Sequence, residues 1–98
     1  MKRLWLKSPA DLDYLQALEW YEARQPGLGR EFDAELLTLF ERIKQNPELF
    51  QKETDLVRKA WMPRFKYRIY FTVEGDEIGV VAIWHPGRNP DALRQRLK

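Results

Sequence analysis

The sequence predicts an α+β domain: an N-terminal strand and a helical hairpin packed on a mostly antiparallel sheet, with a short C-terminal helix. Three observations carry this. Phe32, Leu36, Leu39, Phe40 and Ile43 recur at i, i+4, i+7, i+8 and i+11, an apolar stripe of helical period. Arg64 to Val73 alternates strictly, with Phe65, Tyr67, Ile69, Phe71 and Val73 on one face and Arg64, Lys66, Arg68, Tyr70 and Thr72 on the other. That is the pattern of a half-buried strand. Ile78 to Trp84 is a nearly continuous apolar run rich in β-branched residues, as expected of a central strand covered on both faces.

Each element follows in order. Lys2 to Leu6 reads as a short strand, with Leu4 and Leu6 on one side and Trp5 on the other. Ser8-Pro9-Ala10-Asp11 reads as a helix start, with Ser8 as cap and Pro9 at the first helical position. That helix runs to about Arg24. Tyr14, Leu15, Leu18 and Tyr21 share its apolar face, and Trp20 lies off it. Gln25-Pro26-Gly27 breaks the chain before a second helix over about Leu28 to Asn46, which Pro47 ends. The short connection makes the two helices an antiparallel hairpin. Pro47 to Asp55 is a connector, with Leu49 and Phe50 tucked beneath it. Leu56 to Met62 begins the sheet, and Pro63 falls between strands, where a turn or edge tolerates it. Glu74-Gly75-Asp76-Glu77 turns the chain between the two central strands. Asn89 and Pro90 read as cap and first position of the final helix. No repeat, low-complexity run or linker interrupts residues 1–98, which form one domain.

The totals bound the class. A chain of 98 residues, 44% hydrophobic and 33% charged, has a folded composition and room for one core. The lack of cysteine excludes disulfides and thiolate metal sites. No apolar run approaches the roughly 20 residues of a membrane span. Met1 to Leu6 is too short for a signal peptide, so a cytoplasmic location is expected. The net charge of +2 is unevenly placed: residues 10–55 carry 11 acidic and 5 basic side chains, and residues 56–98 carry 4 acidic and 9 basic. Two readings stay open, ordinary solvated helix faces or a molecule with one cationic side.

Chemistry is narrowed by elimination. One histidine with no carboxylates at ligand spacing gives no metal site. Gly27 and Gly29 precede a helix without the strand or the Lys-Ser/Thr pair of a phosphate loop, so no cofactor is expected. Ser8 is the only serine and is a helix-start residue, not a nucleophile. A cationic cluster remains: Lys59, Arg64, Lys66 and Arg68 on adjacent strands, and His85, Arg88 and Arg94 after the last one. Arginines with a histidine can hold phosphates and move a proton in RNA cleavage; they equally suit an acidic partner protein. Arg68 sits mid-strand among aromatics, where an unpaired charge is costly. Arg88, just past a strand end, is where binding residues are commonly found.

The stretches L-V-R-K-A-W-M-P-R-F-K-Y-R-I-Y-F and V-E-G-D-E-I-G-V-V-A-I-W-H-P-G-R-N-P resemble the RelE/ParE toxin superfamily, and its ParE-like branch in particular. The resemblance runs from Met1 to about Arg96. That branch has Arg-Phe-Pro-Tyr before an Ile/Tyr-rich strand, and a last strand ending in His with Arg-Asp-Pro shortly after. The counterparts are Arg64-Phe65-Lys66-Tyr67 and His85…Arg88-Asn89-Pro90, with Lys66 and Asn89 as departures.

The resemblance implies a plasmid-stabilisation toxin of a type II pair, neutralised by a cognate antitoxin. ParE-like members poison DNA gyrase, whereas RelE-like members cut messenger RNA in the ribosomal A site. By motif, Lys59 matches a catalytic lysine of the ribonucleases, and Arg68 and Arg88 match their arginines. Trp61 stands at the second lysine position, the tyrosine position falls near Arg94, and no tyrosine follows Tyr70. His85 would serve as acid or base. The expectation is therefore a non-enzymatic gyrase inhibitor contacting its target through Lys59, Arg64, Lys66, Arg94 and Arg96. The alternatives are an mRNA endoribonuclease using Arg68, His85 and Arg88 on the ribosome, or a degenerate member that only binds antitoxin. Trp5 and Trp20 fit neither core stripe and are the expected antitoxin anchors.

Overall fold

A computed structural model of the chain describes residues 2–98. In order, the elements are β1 (Arg3–Leu6), α1 (Ala10–Arg24), α2 (Leu28–Gln45), a 3-10 turn (Pro47–Leu49), β2 (Gln51–Lys52), β3 (Val57–Met62), β4 (Tyr67–Glu74), β5 (Glu77–Trp84) and α3 (Pro90–Arg96). The strands form one sheet in the order β1-β5-β4-β3-β2. β1 runs parallel to β5 and every other pair is antiparallel. This is the α+β architecture expected, with the two-residue strand β2 added.

The sheet has two covered faces, which explains the continuous apolar run of β5. On one face lie α1 and α2. Phe32, Leu36 and Ile43 of α2 are fully buried against Ile69, Phe71, Ile78 and Val80. Each such burial contributes about 1.5–3 kcal/mol. On the other face Val57, Tyr70, Ala82 and Trp84 form a smaller cluster, with Leu93 and Leu97 at the C-terminal end packed against it. Glu74 and Glu77 face each other across the β4–β5 turn. Gly75 takes the first central position of that turn with φ 60°, where a side chain would be strained.

The helices are joined by more than apolar contact. Glu22 of α1 accepts from the backbone N–H groups of Gly27 (2.9 Å) and Gly29 (3.1 Å), capping α2 with a carboxylate that suits its positive end. A Cβ at Gly29 would lie 2.9 Å from the Leu18 carbonyl, so glycine sets how closely the helices approach. Across the same interface Tyr14 donates to Asp33 at 2.5 Å.

Several expectations are corrected. β4 begins at Tyr67, not Arg64, because Lys66 adopts φ 61° and its N–H closes a turn on the Met62 carbonyl at 2.8 Å. Arg64, Phe65 and Lys66 therefore belong to the β3–β4 turn. Pro9, not Ser8, borders α1, and no side chain caps it; the Pro9 carbonyl receives the N–H groups of Leu12 (3.0 Å) and Asp13 (3.2 Å). The inward line of α1 is Ala10, Asp13, Ala17 and Tyr21, while Leu15 is half-exposed. Leu49 is 81% exposed and so lies outside the core; Phe50 packs partly against Phe71.

The Tyr14 phenol is raised to about 12, first by its hydrogen bond to Asp33 and then by burial. A phenol raised above its ordinary 10.0 stabilises the fold fully below pH 10, and that contribution fades as pH climbs to 12. Chemical denaturation should show stability falling between those values. Tyr14→Phe should lower stability at neutral pH and flatten part of the alkaline decline; an unchanged alkaline slope would show that this bond does not carry it.

Candidate functional site

Ala10 and Ala17 are small, so α1 lies close to β5, and Asp13 between them is driven against the sheet. β1 covers the outer edge of β5 only as far as Val80, which accepts from the Lys7 N–H at 2.9 Å. Beyond that point the edge lacks a strand. Val81 also has no partner on β4, since Phe71 faces Val80 and Tyr70 faces Ala82. Side chains complete this edge. The Ile83 N–H donates to Asp13 Oδ2 at 3.0 Å, and Arg96 Nη1 donates to the Val81 carbonyl at 3.3 Å.

Among the described residues Asp13 is the only buried charged one, with its side chain 3% exposed. Both oxygens are occupied. Arg96 Nη1 reaches Oδ2 at 2.8 Å, and Arg88 Nη1 reaches Oδ1 at 3.0 Å. One carboxylate thus holds two guanidinium groups and a backbone N–H, leaving the group net cationic. Both arginines also stack on the buried Trp84 indole, Arg88 at 3.7 Å and Arg96 at 5.2 Å from its centroid, a cation–π arrangement strengthened by desolvation.

Beside this group is a cleft of about 360 Å³. Gln16, Ala17 and Trp20 line it from α1, and Tyr67, His85 and Arg88 from the sheet end. The His85 ring lies 5.2 Å from that of Tyr67. Its Nδ1 accepts from the Gly87 N–H at 3.0 Å, which leaves Nε2 as the nitrogen that carries the ring N–H. The Tyr67 phenol is pushed up to about 12, chiefly by burial, and stays protonated.

Of the residues singled out for ribonuclease chemistry, His85 and Arg88 share this cleft, and Arg68 does not. Tyr67 packs with the helix-side core, so alternation puts Arg68 on the opposite face. There it lies over Trp61 at 5.6 Å, opposite Trp61 on one side and Trp84 on the other. The basic residues expected to meet a target are largely paired: Lys59 with Glu53 (3.1 Å), Arg64 with Glu31 (2.5 Å) and Glu35 (3.5 Å), and Arg94 with Asp91. Arg96 is held by Asp13, and Lys66 is exposed in its turn. Trp5 and Trp20 are both half-exposed but mark different places. Trp20 borders the cleft with Arg24 stacked 4.0 Å over it. Trp5 borders an open hollow along β1, with Lys7 5.6 Å away. Sequence reasoning missed Asp13, Gln16, Tyr67 and the half-exposed Trp61 as site residues. The one available signal was the line Ala10, Asp13, Ala17, Tyr21, a charge between two small residues on a helix face. Among the described residues no group of three His, Cys, Asp or Glu is placed to hold a metal, and no helix is long and apolar enough to cross a membrane.

Residues 6–90 match the family described as ParE toxin of type II toxin-antitoxin system, parDE. The chain belongs to that toxin family. Its fold is similar to a chain of a solved structure, "Chromosomal ParDE TA system from P. aeruginosa", with a TM-score of 0.68 at 20% identity, covering 87% of this chain and 96% of that one. No curated protein matches the sequence.

Truncating Asp13 tests the edge completion. Asp13→Ala leaves the Ile83 N–H and Arg96 without their acceptor and should cost about 3 kcal/mol in urea unfolding. Arg88→Ala, removing a half-exposed partner, should cost about 1 kcal/mol. Equal losses for the two variants would contradict the central place given to the carboxylate.

Proposed function

We propose that this toxin acts by binding, with DNA gyrase as its target and a cognate antitoxin as its neutralising partner. The observation that carries the non-enzymatic reading is the separation of Arg68 from His85 by the thickness of the sheet. In-line cleavage of a phosphodiester needs its acid, base and charge-stabilising groups within hydrogen-bond reach of one phosphate. The choice of gyrase rests on family membership, and the exposed Lys66 and Arg68 give the toxin cationic contacts for a larger partner. Trp20 and Trp5, half-exposed and each beside a cation, are the proposed antitoxin anchors.

One observation favours the ribonuclease alternative: His85 and Arg88 line the same cleft. Two assays on the purified toxin separate the readings. Gyrase supercoiling should be inhibited at stoichiometric toxin, and primer extension on translated messages should show no new ends. Unchanged gyrase activity together with new message ends would overturn the proposal.

A further inference from the structure

The cleft beside Asp13 is rich in hydrogen-bond donors, and its one carboxylate is already saturated. Asp13 takes the Ile83 N–H, Arg88 and Arg96 on its two oxygens, so none of its charge is left for a ligand. Arg88 uses only Nη1 on Asp13, leaving further N–H groups of its planar fork. His85 offers Nε2–H, because Nδ1 is occupied by Gly87. Tyr67 offers a phenol that burial keeps protonated. Opposite these donors stand Ala17 and the half-exposed ring of Trp20, which supply apolar surface.

We propose that this cleft receives the carboxylate of an acidic side chain of the antitoxin, with His85, Arg88 and Tyr67 donating to it and Trp20 packing on its methylene stem. This rests on the toxin–antitoxin reading and deepens it by naming the anchor chemistry. Charge complementarity selects the occupant. Two guanidinium groups face one carboxylate, so the site lacks one negative charge. A carboxylate supplies that charge and accepts bonds from a planar fork in matching geometry.

The test uses the full-length toxin and the full-length antitoxin of the adjoining reading frame, measured by calorimetry. Tyr67→Phe and His85→Ala remove donors without touching the Asp13 group. Together they should weaken antitoxin binding roughly 30-fold or more. Changing antitoxin Asp and Glu residues singly to Asn and Gln should reveal one position with a loss of similar size. That loss should largely vanish when measured against the double toxin variant. Wild-type affinity in the double variant overturns the inference and leaves the toxin–antitoxin reading intact. So does a loss confined to a single-stranded RNA oligomer. Failure of the unaltered toxin to bind that antitoxin at all overturns both. Urea unfolding of each variant confirms that the fold is kept; an affinity loss seen only with lost stability counts against the cleft.

Discussion

A single buried carboxylate finishes the sheet where its edge strand stops. β1 pairs with β5 for four residues and then turns away into α1. The exposed edge beyond Val80 would otherwise bury polar backbone without partners, which costs free energy comparable to each lost hydrogen bond. Asp13 accepts from one of those groups and Arg96 donates to another. Since Asp13 comes from α1 and Arg96 from α3, the same contacts tie the helical hairpin to the C-terminal helix across the sheet. The arrangement is self-consistent only as a set: the carboxylate tolerates burial because two guanidiniums surround it, and Arg88 and Arg96 stay over Trp84 because the carboxylate holds them.

This constraint also shapes what the surface can do. The aromatic and cationic side chains at the end of the sheet alternate across strands, from Trp61 to Arg68, Trp84 and Arg88. Such a row is preorganised, because each guanidinium is held over a ring. Preorganisation serves recognition, where little conformational freedom is then lost on binding. The helix face presents a different surface, with Trp20, His85 and Tyr67 around a small cleft. The two sets of side chains meet at Arg88, which lies over Trp84 and also lines the cleft.

Much of the fold was legible in the sequence. The α2 stripe from Phe32 to Ile43 is buried as its period requires, the apolar run of β5 is covered on both faces, and the Asn89 side chain caps α3 by accepting from the Asp91 N–H at 2.8 Å. These are local signals with tertiary consequences of one kind only. The errors arise where two physical rules compete. Alternation continues through Arg64–Lys66, yet the left-handed backbone at Lys66 makes that stretch a turn, and hydrophobic periodicity does not report φ. Leu15 outranks Asp13 on any hydropathy scale, but Asp13 is buried because its charge finds three donors that lie about 70 to 83 residues away in the chain. The candidate cleft was half-legible for the same reason: His85 and Arg88 were grouped with Arg68 and Trp20 stood apart from them, while the convergence of His85, Arg88 and Trp20 depends on how closely Ala10 and Ala17 let α1 approach.

The Asp13 carboxylate couples the β5 edge to the C-terminal helix. Native-state amide hydrogen exchange on Asp13→Asn, compared with the parent protein, tests it most directly. The Ile83 amide and the α3 amides of Leu93 to Arg96 should exchange faster together, by roughly tenfold or about 1.4 kcal/mol, while the α2 amides around Leu36 stay protected. Faster exchange at Ile83 with α3 unchanged would contradict it.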